Sequence, residues 1–398
     1  GLSVPHNHRR GITGKTFVNP DIRPGGAGNQ EVVITAVDAM EDLKNRKVTI
    51  ALQSSITVKD AIEDLLEAAG INNHAIDNFS DTIGYWWVDQ QSASEAMQEL
   101  VDASLSTFFI AANGTAKCYT RNRIAGSVLS LDDSVLLKDM QLRQPWEVIK
   151  NNIDVIINPR IVNETGTLWQ MQDKPMVPAG GSLEIWADYR ALGQSVPAMN
   201  VIDPAATTDY TMNTLQNGTG TNLTASFSVA ITKYSQSSKL VVTNGSASDG
   251  YVTSLKIRGD AITAPDPVRL NRQDAASQAV YKVKSFVLNS KWLQETLIGV
   301  DIADLLKILL PNPRKYPIVR VQNRPEFQYS MDLFDRIGLR IPSKMIDDAF
   351  VVGKIEIEWL TPTGLDVITT IHLEPVISLS ENFWVFPADV GVSTYFGA

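Results

Sequence analysis

The chain has 398 residues, 44% hydrophobic and 20% charged, which is the composition of an ordinary globular protein with two or three domains. Its 35 Lys and Arg against 44 Asp and Glu give a net charge of −9, which argues against sequence-specific nucleic-acid binding. The single cysteine, Cys118, excludes an internal disulfide and a Cys-rich zinc site, and no run of about 18 apolar residues predicts a membrane span.

The first segment, residues 1–30, is rich in turn-forming residues. It contains six glycines and three prolines. This density predicts an extended N-terminal arm or linker that lies on a neighbour instead of forming a core of its own.

Residues 31–170 are predicted to form an α/β hub domain with connecting strands. Short β-branched runs at 31–37 and 47–52 indicate strands. Thr57 is a candidate N-cap with Asp60 three positions later, and Gly70 ends the helical pattern. The apolar positions at helical spacing are Val58, Ala61, Ile62, Leu65 and Leu66.

The same domain carries signals for a second helix, a hairpin and a half-buried strand. Ser92 with Glu95 resembles a capping box, followed by a stripe of Ala96, Leu100 and Val101. Asn113-Gly114 joins two apolar runs and predicts a hairpin. Alternation places Ile153, Val155 and Ile157 on one face of a later strand.

Residues 171–265 differ in composition, with Ser, Thr, Asn and Gly dominating and no helical periodicity. Short β runs at 183–189, 223–232, 239–244 and 251–259 are separated by turn clusters. This pattern predicts an inserted β-sandwich module.

Residues 266–398 are predicted to form a C-terminal β-rich hub domain with a tube-like barrel. Asp301 is a candidate cap for a helix that Pro311 ends, and strands are predicted at 340–342, 350–360 and 367–373. In the longest strand, Ile355, Ile357 and Trp359 are expected on the buried face. The aromatic tail at 381–398 is expected to be buried, either as a last strand or against a neighbouring subunit; its aromatics are Phe383, Trp384, Phe386, Tyr395 and Phe396.

No motif predicts a cofactor or metal. Gly14-Lys15-Thr16 resembles the end of a phosphate-binding loop, but Arg9 stands where that loop needs glycine. His6 and His8 lack a third ligand nearby, and His372 is expected to be a surface or interface residue.

No motif predicts a catalytic site either. A G-x-S-x-G nucleophile elbow is absent from the sequence, and the acidic pairs resemble ordinary surface charge. The pairs are Asp132/Asp133, Asp347/Asp348 and Glu356/Glu358. Matches to N-x-[ST] occur at Asn78, Asn113, Asn163, Asn217, Asn222 and Asn244, and they are expected to arise by chance in Asn- and Thr-rich loops. We therefore predict a non-enzymatic protein without a cofactor, a metal or catalytic residues.

Several segments, taken in order, resemble tail-tip (baseplate) hub proteins of long-tailed bacteriophages. The stretch 203–262 resembles a β-module of these tails, through TDYT (208–211), NGTGTNLTAS (217–226), KLVVTN (239–244) and GYVTSLKIRG (250–259). Around it stand TVKDAIEDLLEAAGI (57–71), NPR (158–160), DAASQ (274–278), SFVLNSKWLQ (285–294), MDLFDRIGLRI (331–341) and DVITTIHLEP (366–375). The resemblance covers nearly the whole chain from about residue 31, and it rests on the order of the segments more than on any one motif.

The resemblance implies an α+β, mostly β, multi-domain hub that acts as a structural virion protein. Three copies would form a ring at the distal tail tip and line part of the DNA channel. The implied partners are further copies of the chain, distal tail or tail-tube proteins, tail fibre or tip proteins, and the tape-measure protein. Hubs of this class usually also carry an N-terminal tube-like domain, which is expected to precede Gly1.

Two other functions remain open at this point. The insertion could bind a host-surface glycan through Tyr189, Tyr210, Tyr234 and Tyr251, although core packing is the commoner role of such tyrosines. A cell-wall hydrolase would need a separated acid pair or a metal triad, and the sequence contains neither pattern.

Overall fold

The structure, a computed structural model, consists mainly of β-strands in several separate sheets with few helices. It describes residues 15–16, 21–24, 30–33, 36–37, 39–111, 113–121, 127–136, 140–324, 330–359 and 366–376. The predicted α+β, mostly β, multi-domain fold is confirmed. Most of the predicted arm 1–30 and the whole aromatic tail 381–398 lie outside the described residues.

In the described part of residues 1–38, four short strands precede the α/β unit. They are β1 (Lys15–Thr16), β2 (Asp21–Pro24), β3 (Gln30–Val33) and β4 (Ala36–Val37). β2 pairs antiparallel with β3, and β1 pairs antiparallel with β4. The described part of the arm therefore pairs with the chain that follows it.

The α/β unit packs three helices against two small sheets. Its elements are α1 (Ala39–Asn45), β5 (Lys47–Thr57), α2 (Val58–Ala68), β6 (His74–Ile76), β7 (Thr82–Ser92), α3 (Ala93–Ser104), β8 (Thr107–Ile110) and β9 (Ala116–Tyr119). β5 pairs with β7, and β6, β9 and β8 form the second sheet. The predicted hairpin is the β8–β9 pair, and Gly114 takes a positive φ of 82° in its turn.

Both helix starts predicted in the α/β unit are confirmed. The Thr57 hydroxyl accepts a hydrogen bond from the Asp60 amide at 3.1 Å, and the Ser92 hydroxyl accepts one from the Glu95 amide at 3.4 Å. The whole predicted stripe of α2 is buried, from Val58 to Leu66. Capping and apolar spacing thus position both helices over the β5–β7 pair.

Three strands lie between the α/β unit and the insertion. They are β10 (Ser127–Asp132), β11 (Gln141–Arg143) and β12 (Asn152–Ile157). All three find their partners beyond the insertion. The predicted domains 31–170 and 266–398 are therefore interleaved through shared sheets.

The insertion contains eleven strands in two main sheets and a small hairpin. They are β13 (Ile161–Val162), β14 (Gly166–Gln170), β15 (Met176–Val177), β16 (Ser182–Asp188), β17 (Arg190–Ala191), β18 (Gln194–Ser195), β19 (Ala198–Ile202), β20 (Tyr210–Asn213), β21 (Phe227–Lys233), β22 (Ser237–Asn244) and β23 (Gly250–Thr263). The long strand β23 pairs with β13, β14, β15, β19 and β20. β16, β22 and β21 form the second sheet, and β17 pairs with β18.

The two main sheets share one apolar core, as expected for a sandwich. Tyr189, Leu240 and Val242 on one side meet Leu255 and Ile257 on the other, and all are buried. The strands of the insertion begin at 161, earlier than the predicted 171, because β13 and β14 both pair with β23.

A central sheet follows the insertion and carries the longest of the described helices. Its further elements are β24 (Val268–Gln273), α4 (Ala275–Tyr281), β25 (Ser285–Asn289) and α5 (Thr296–Leu309). β12 lies between β24 and β25, antiparallel to the first and parallel to the second. Ile153, Val155 and Ile157 share one buried face, as predicted, and pack against α5.

The start of α5 differs from the prediction. The helix begins at Thr296, and Asp301 is an exposed residue inside it instead of its cap. The earlier start is compatible with Gly299, because a Cβ at that position would lie 2.7 Å from Ile157 Cδ1. Glycine thus allows the first turn to approach β12 closely.

Among the described residues, the C-terminal sheet has six strands in an open path. Its last four are β26 (Tyr316–Gln322), β27 (Arg336–Ile341), β28 (Ile346–Trp359) and β29 (Val367–Pro375). The order is β10-β27-β28-β29-β26-β11. Since β10 and β11 are not paired with each other, the tube-like barrel predicted here is not closed in the described ranges.

The alternation predicted for β28 is weaker than expected. Ile355 is half-buried and Ile357 is 42% exposed, although both were predicted on the buried face. The register of the β28–β29 pair shifts between Val352 and Lys354. Both residues nevertheless stay on the predicted face, since Ile355 stands opposite the buried Ile371 and Ile357 opposite the buried Thr369; the cover over that face is thinner toward the end of β28.

No helix in the described ranges is long and apolar enough to cross a lipid bilayer.

Close packing at Gly299 gives a first prediction. We expect Gly299→Val to lower the free energy of unfolding by about 1–3 kcal/mol, because the added side chain must displace Ile157. Gly166→Val is the control, since the nearest atom to a Cβ there is 3.8 Å away. Urea unfolding measures both, and equal losses would contradict the close approach.

A buried ion pair in the insertion gives a second prediction. The Asp209 carboxylate, 2% exposed, accepts hydrogen bonds from Arg258 Nε at 2.6 Å and Arg258 Nη2 at 3.0 Å. Arg258 lowers the pKa of Asp209, so the pair stabilises the fold at neutral pH and loses that effect as pH falls below about 4.

We therefore expect Asp209→Asn to cost about 2 kcal/mol at pH 7 and clearly less at pH 3. Asp203→Asn is the control, because Asp203 is exposed and pairs with Lys233 at the surface. Thermal unfolding at both pH values measures the effect. A cost that stays the same at pH 3 would contradict the account.

Candidate functional site

The three acidic pairs noted in the sequence do not face each other across a cleft. Asp132 closes a turn by accepting the Ser134 amide at 2.9 Å, which with the Ser134 hydroxyl lowers its pKa. Asp347 is 82% exposed on β28. Glu356 accepts a hydrogen bond from Lys354 Nζ, with the two atoms 2.6 Å apart. Each acid is held by a local turn or a neighbouring cation, or lies in solvent.

The histidines and the cysteine are also separate. In the described ranges, no group of three His, Cys, Asp or Glu side chains is arranged to hold a metal. His372 lies 3.4 Å from Glu356 on the sheet surface. Burial raises the pKa of the Cys118 thiol to about 12, so it stays protonated at neutral pH. His6, His8 and Gly14 lie outside the described residues.

Four of the N-x-[ST] matches are turns closed by the asparagine. In each, the side-chain oxygen accepts the backbone amide two residues later, at 2.9–3.1 Å; the four are Asn113, Asn217, Asn222 and Asn244. Asn244 is fully buried and its amide also donates to Val177 O and Ser248 O. The pattern at these sites thus has a structural cause, the Asx turn.

The main constellation of contacts is aromatic, and it joins the α/β unit to the central sheet. We call residues 290–294, between β25 and α5, the first junction. Trp292, 3% exposed, meets Trp86 edge-on at 6.5 Å between ring centroids and Trp87 at 5.0 Å. These are favourable edge-to-face distances, and the rings remove a large apolar area from water.

Polar side chains fix the same junction. Trp292 Nε1 donates to Glu99 Oε2 at 3.0 Å, and Ser290 Oγ donates to the Glu99 carbonyl at 3.2 Å. The Gln294 side chain accepts the Tyr85 amide at 2.9 Å and donates to the Tyr85 carbonyl at 2.7 Å. It therefore pairs with β7 as a strand backbone would, which fixes the position of the segment along β7.

The segment that leads into the insertion also contacts the first junction. The backbone amide of Asn158 donates a hydrogen bond to the Leu293 carbonyl at 2.8 Å. The Arg160 guanidinium lies 5.7 Å from the centre of the Trp87 ring, and burial lowers its pKa. The base of the insertion is thus fastened where the α/β unit meets the central sheet.

A second junction joins the α/β unit to the C-terminal sheet. We define it by Phe109 and Lys117 on one side and by Asp332 and Phe334 on the other. Lys117 Nζ lies 3.1 Å from Asp332 Oδ2, and the rings of Phe109 and Phe334 are 5.0 Å apart. Phe334 takes a positive φ of 64° and donates its amide to Val352. An unusual backbone thus aims this ring at the α/β unit.

The segments 285–294 and 331–341 stood out in the sequence only by resemblance, and their contacts with the α/β unit were not predicted. It also missed β7, which carries Trp86 and Trp87. The adjacent tryptophans in this segment were a usable signal, because such large side chains need a partner to bury them.

Several apolar side chains near Lys284, in the segment 280–287 and at Trp146, are exposed. We call them the Trp146 patch: Trp146, Val280, Val283 and Val287, which are 54–68% exposed. Lys284 Nζ lies 4.3 Å above the Trp146 ring and so links it to the valine segment. Clustered exposed apolar residues are typical of contact surfaces.

The first junction gives a third prediction. We expect Trp292→Phe to lower the free energy of unfolding by about 1–3 kcal/mol, because it removes the bond to Glu99 and ring area facing Trp86 and Trp87. Trp186→Phe, at a ring that is 55% exposed, is the matched control and should change it by less than about 0.5 kcal/mol. Urea unfolding measures both, and a neutral Trp292→Phe would contradict the role of the junction.

Comparison with known proteins found no matching family model and no matching curated protein. Among solved structures, the chain is similar to a 43 kDa tail protein of prophage MuSo2 from Shewanella oneidensis, with 7% identity, TM-score 0.46, and coverage of 89% of this chain and 77% of that one. It is similar to a tail protein from Neisseria meningitidis (8%, TM-score 0.49, 89% and 78% covered) and to a prophage tail protein from Listeria monocytogenes (7%, TM-score 0.40, 90% and 76% covered).

Proposed function

We propose that this chain is a structural protein of a phage virion. It acts as a trimeric hub at the distal tail tip, where it joins the tail tube to tip fibres or a needle and forms part of the DNA channel. Its function is to hold its units in a fixed arrangement, and no reaction is assigned to it.

One observation carries the proposal. Two of the segments that resemble tail hubs in sequence lie where the units are joined. The segment 285–294 supplies Ser290, Trp292 and Gln294 to the first junction. The segment 331–341 supplies Asp332 and Phe334 to the second. A protein that transmits force or position along a tail needs its units fixed in this way.

The proposed contact between copies uses the Trp146 patch. Its four apolar side chains are more than half exposed, and β25, which carries Val287, is an edge strand of the central sheet. A ring of identical subunits needs contacts between different surfaces of adjacent copies that close by rotation. Burying this patch against the next copy would remove its apolar area from water.

The other proposed partners follow from the proposed position of the chain at the distal tail tip of the virion. Above the ring stand distal tail or tail-tube proteins, below it fibre or tip proteins, and inside it the tape-measure protein. The net charge of −9 suits a channel wall along which DNA slides without sticking.

Solution mass tests the assembly. A trimer of 43.7 kDa chains has a mass of about 131 kDa, and light scattering after size exclusion should give that value. We expect Val283→Glu to shift the mass toward the monomer, because it places a charge in the patch. Leu192→Glu is the control, since Leu192 is 99% exposed in the small β17–β18 hairpin.

A wild-type monomer would contradict the trimeric hub. A trimer that survives Val283→Glu unchanged would contradict the assignment of the Trp146 patch.

A further inference from the structure

A second exposed tryptophan lies in the insertion, far along the chain from either junction. Trp186 on β16 is 55% exposed although its neighbour Ala187 is fully buried. Strand alternation therefore puts Glu184, Trp186 and Asp188 on the outer face of the β16–β22–β21 sheet. The inner face of that sheet belongs to the core of the sandwich.

The Trp186 ring is held in place by Tyr234. Their centroids are 5.5 Å apart and the ring planes differ by 22°, so the two rings are stacked. Tyr234 is itself half-buried next to the β21–β22 turn. Tyr234 covers one face of the Trp186 ring, and the residue as a whole is still 55% exposed to solvent.

Polar groups border the open ring. Lys239 stands directly opposite Trp186 in the β16–β22 register, and its Nζ lies 2.7 Å from Glu184 Oε2. The exposed Thr232 stands opposite Lys239 on β21. The outer face that carries Trp186 thus also carries a cation, a carboxylate and, on the next strand but one, a hydroxyl.

Among the described residues, this face carries no exposed large apolar side chain apart from Trp186, unlike the Trp146 patch with its three valines, and the buried centre of a protein interface is depleted of charged residues. The composition of this face suits a sugar ring, which offers an apolar C–H face for stacking and a rim of hydroxyls that both donate and accept hydrogen bonds. We infer that the outer face of the β16–β22–β21 sheet binds a pyranose unit of a polysaccharide, with Trp186 as the stacking plate and Glu184 and Lys239 as hydroxyl partners.

This assignment replaces the tyrosines named from the sequence with Trp186 as the residue that a sugar would stack on. Of the tyrosines considered from the sequence, Tyr189 is fully buried and Tyr210 is 7% exposed, so both belong to the core. Tyr234 acts by positioning Trp186. The site is independent of the ring contact, because the Trp146 patch lies outside the insertion.

The test measures binding of the purified full chain to an array of immobilised bacterial capsular and O-antigen oligosaccharides. We expect binding to hexose-containing probes, with a loss of about tenfold or more in Trp186→Ala. Lys239→Ala should weaken binding to the same probes. Leu192→Ala is the control, since it removes an exposed apolar side chain from the same insertion and should bind as the wild type does.

Trp186→Ala and the wild type should share one unfolding temperature and one solution mass, so that lost binding reports the site alone. Binding that survives Trp186→Ala would overturn the inference, and so would failure of the wild type to bind any probe. Self-association through this face would appear as a mass that falls in Trp186→Ala, and it would overturn the inference in favour of a protein contact.

Discussion

The contact of Trp292 with Trp86 and Trp87 is the interaction on which the arrangement of the units depends. It fixes the α/β unit against the central sheet, and the insertion leaves from the same place through Asn158 and Arg160. The rings supply the apolar area, while Gln294 pairs with the Tyr85 backbone and so determines the register. Burial without such pairing would allow the segment to slide along β7, since apolar contact has little directionality. Stability and precision thus come from different atoms of one short segment.

The second constraint is the pairing of strands from distant parts of the sequence. β12 lies between β24 and β25, and among the described strands β10 and β11 stand at the two ends of the C-terminal sheet. Each of these strands precedes the insertion and pairs with a strand beyond it. The chain segments before and after the insertion are therefore held together by strand pairing, and the insertion extends from that framework. Its own core is separate, so its outer face is free to vary without disturbing the junctions.

Local features of the fold were predictable, and contacts between distant residues were not. The caps at Thr57 and Ser92, the stripe from Val58 to Leu66 and the Asn113-Gly114 hairpin follow from short-range rules, and the structure contains them. The start of α5 was predicted wrongly: Thr296 begins the helix after Glu295, whose side chain makes no capping hydrogen bond, so no short-range capping signal marks it. The open C-terminal sheet and the interleaving of the units also differ from the prediction, because both depend on pairing between strands that are far apart in the sequence. Among candidate binding residues, the sequence pointed to tyrosines, whereas the exposed plate is Trp186, whose exposure depends on strand register.

The hub proposal rests on one property, the closure of identical copies into a ring. Imaging of the purified chain by single-particle electron microscopy tests it most directly. The proposal predicts three-fold class averages with a central channel, in which the Trp146 patch of each copy faces the next copy. Particles of one chain, or open chains of copies without a closed ring, would contradict it.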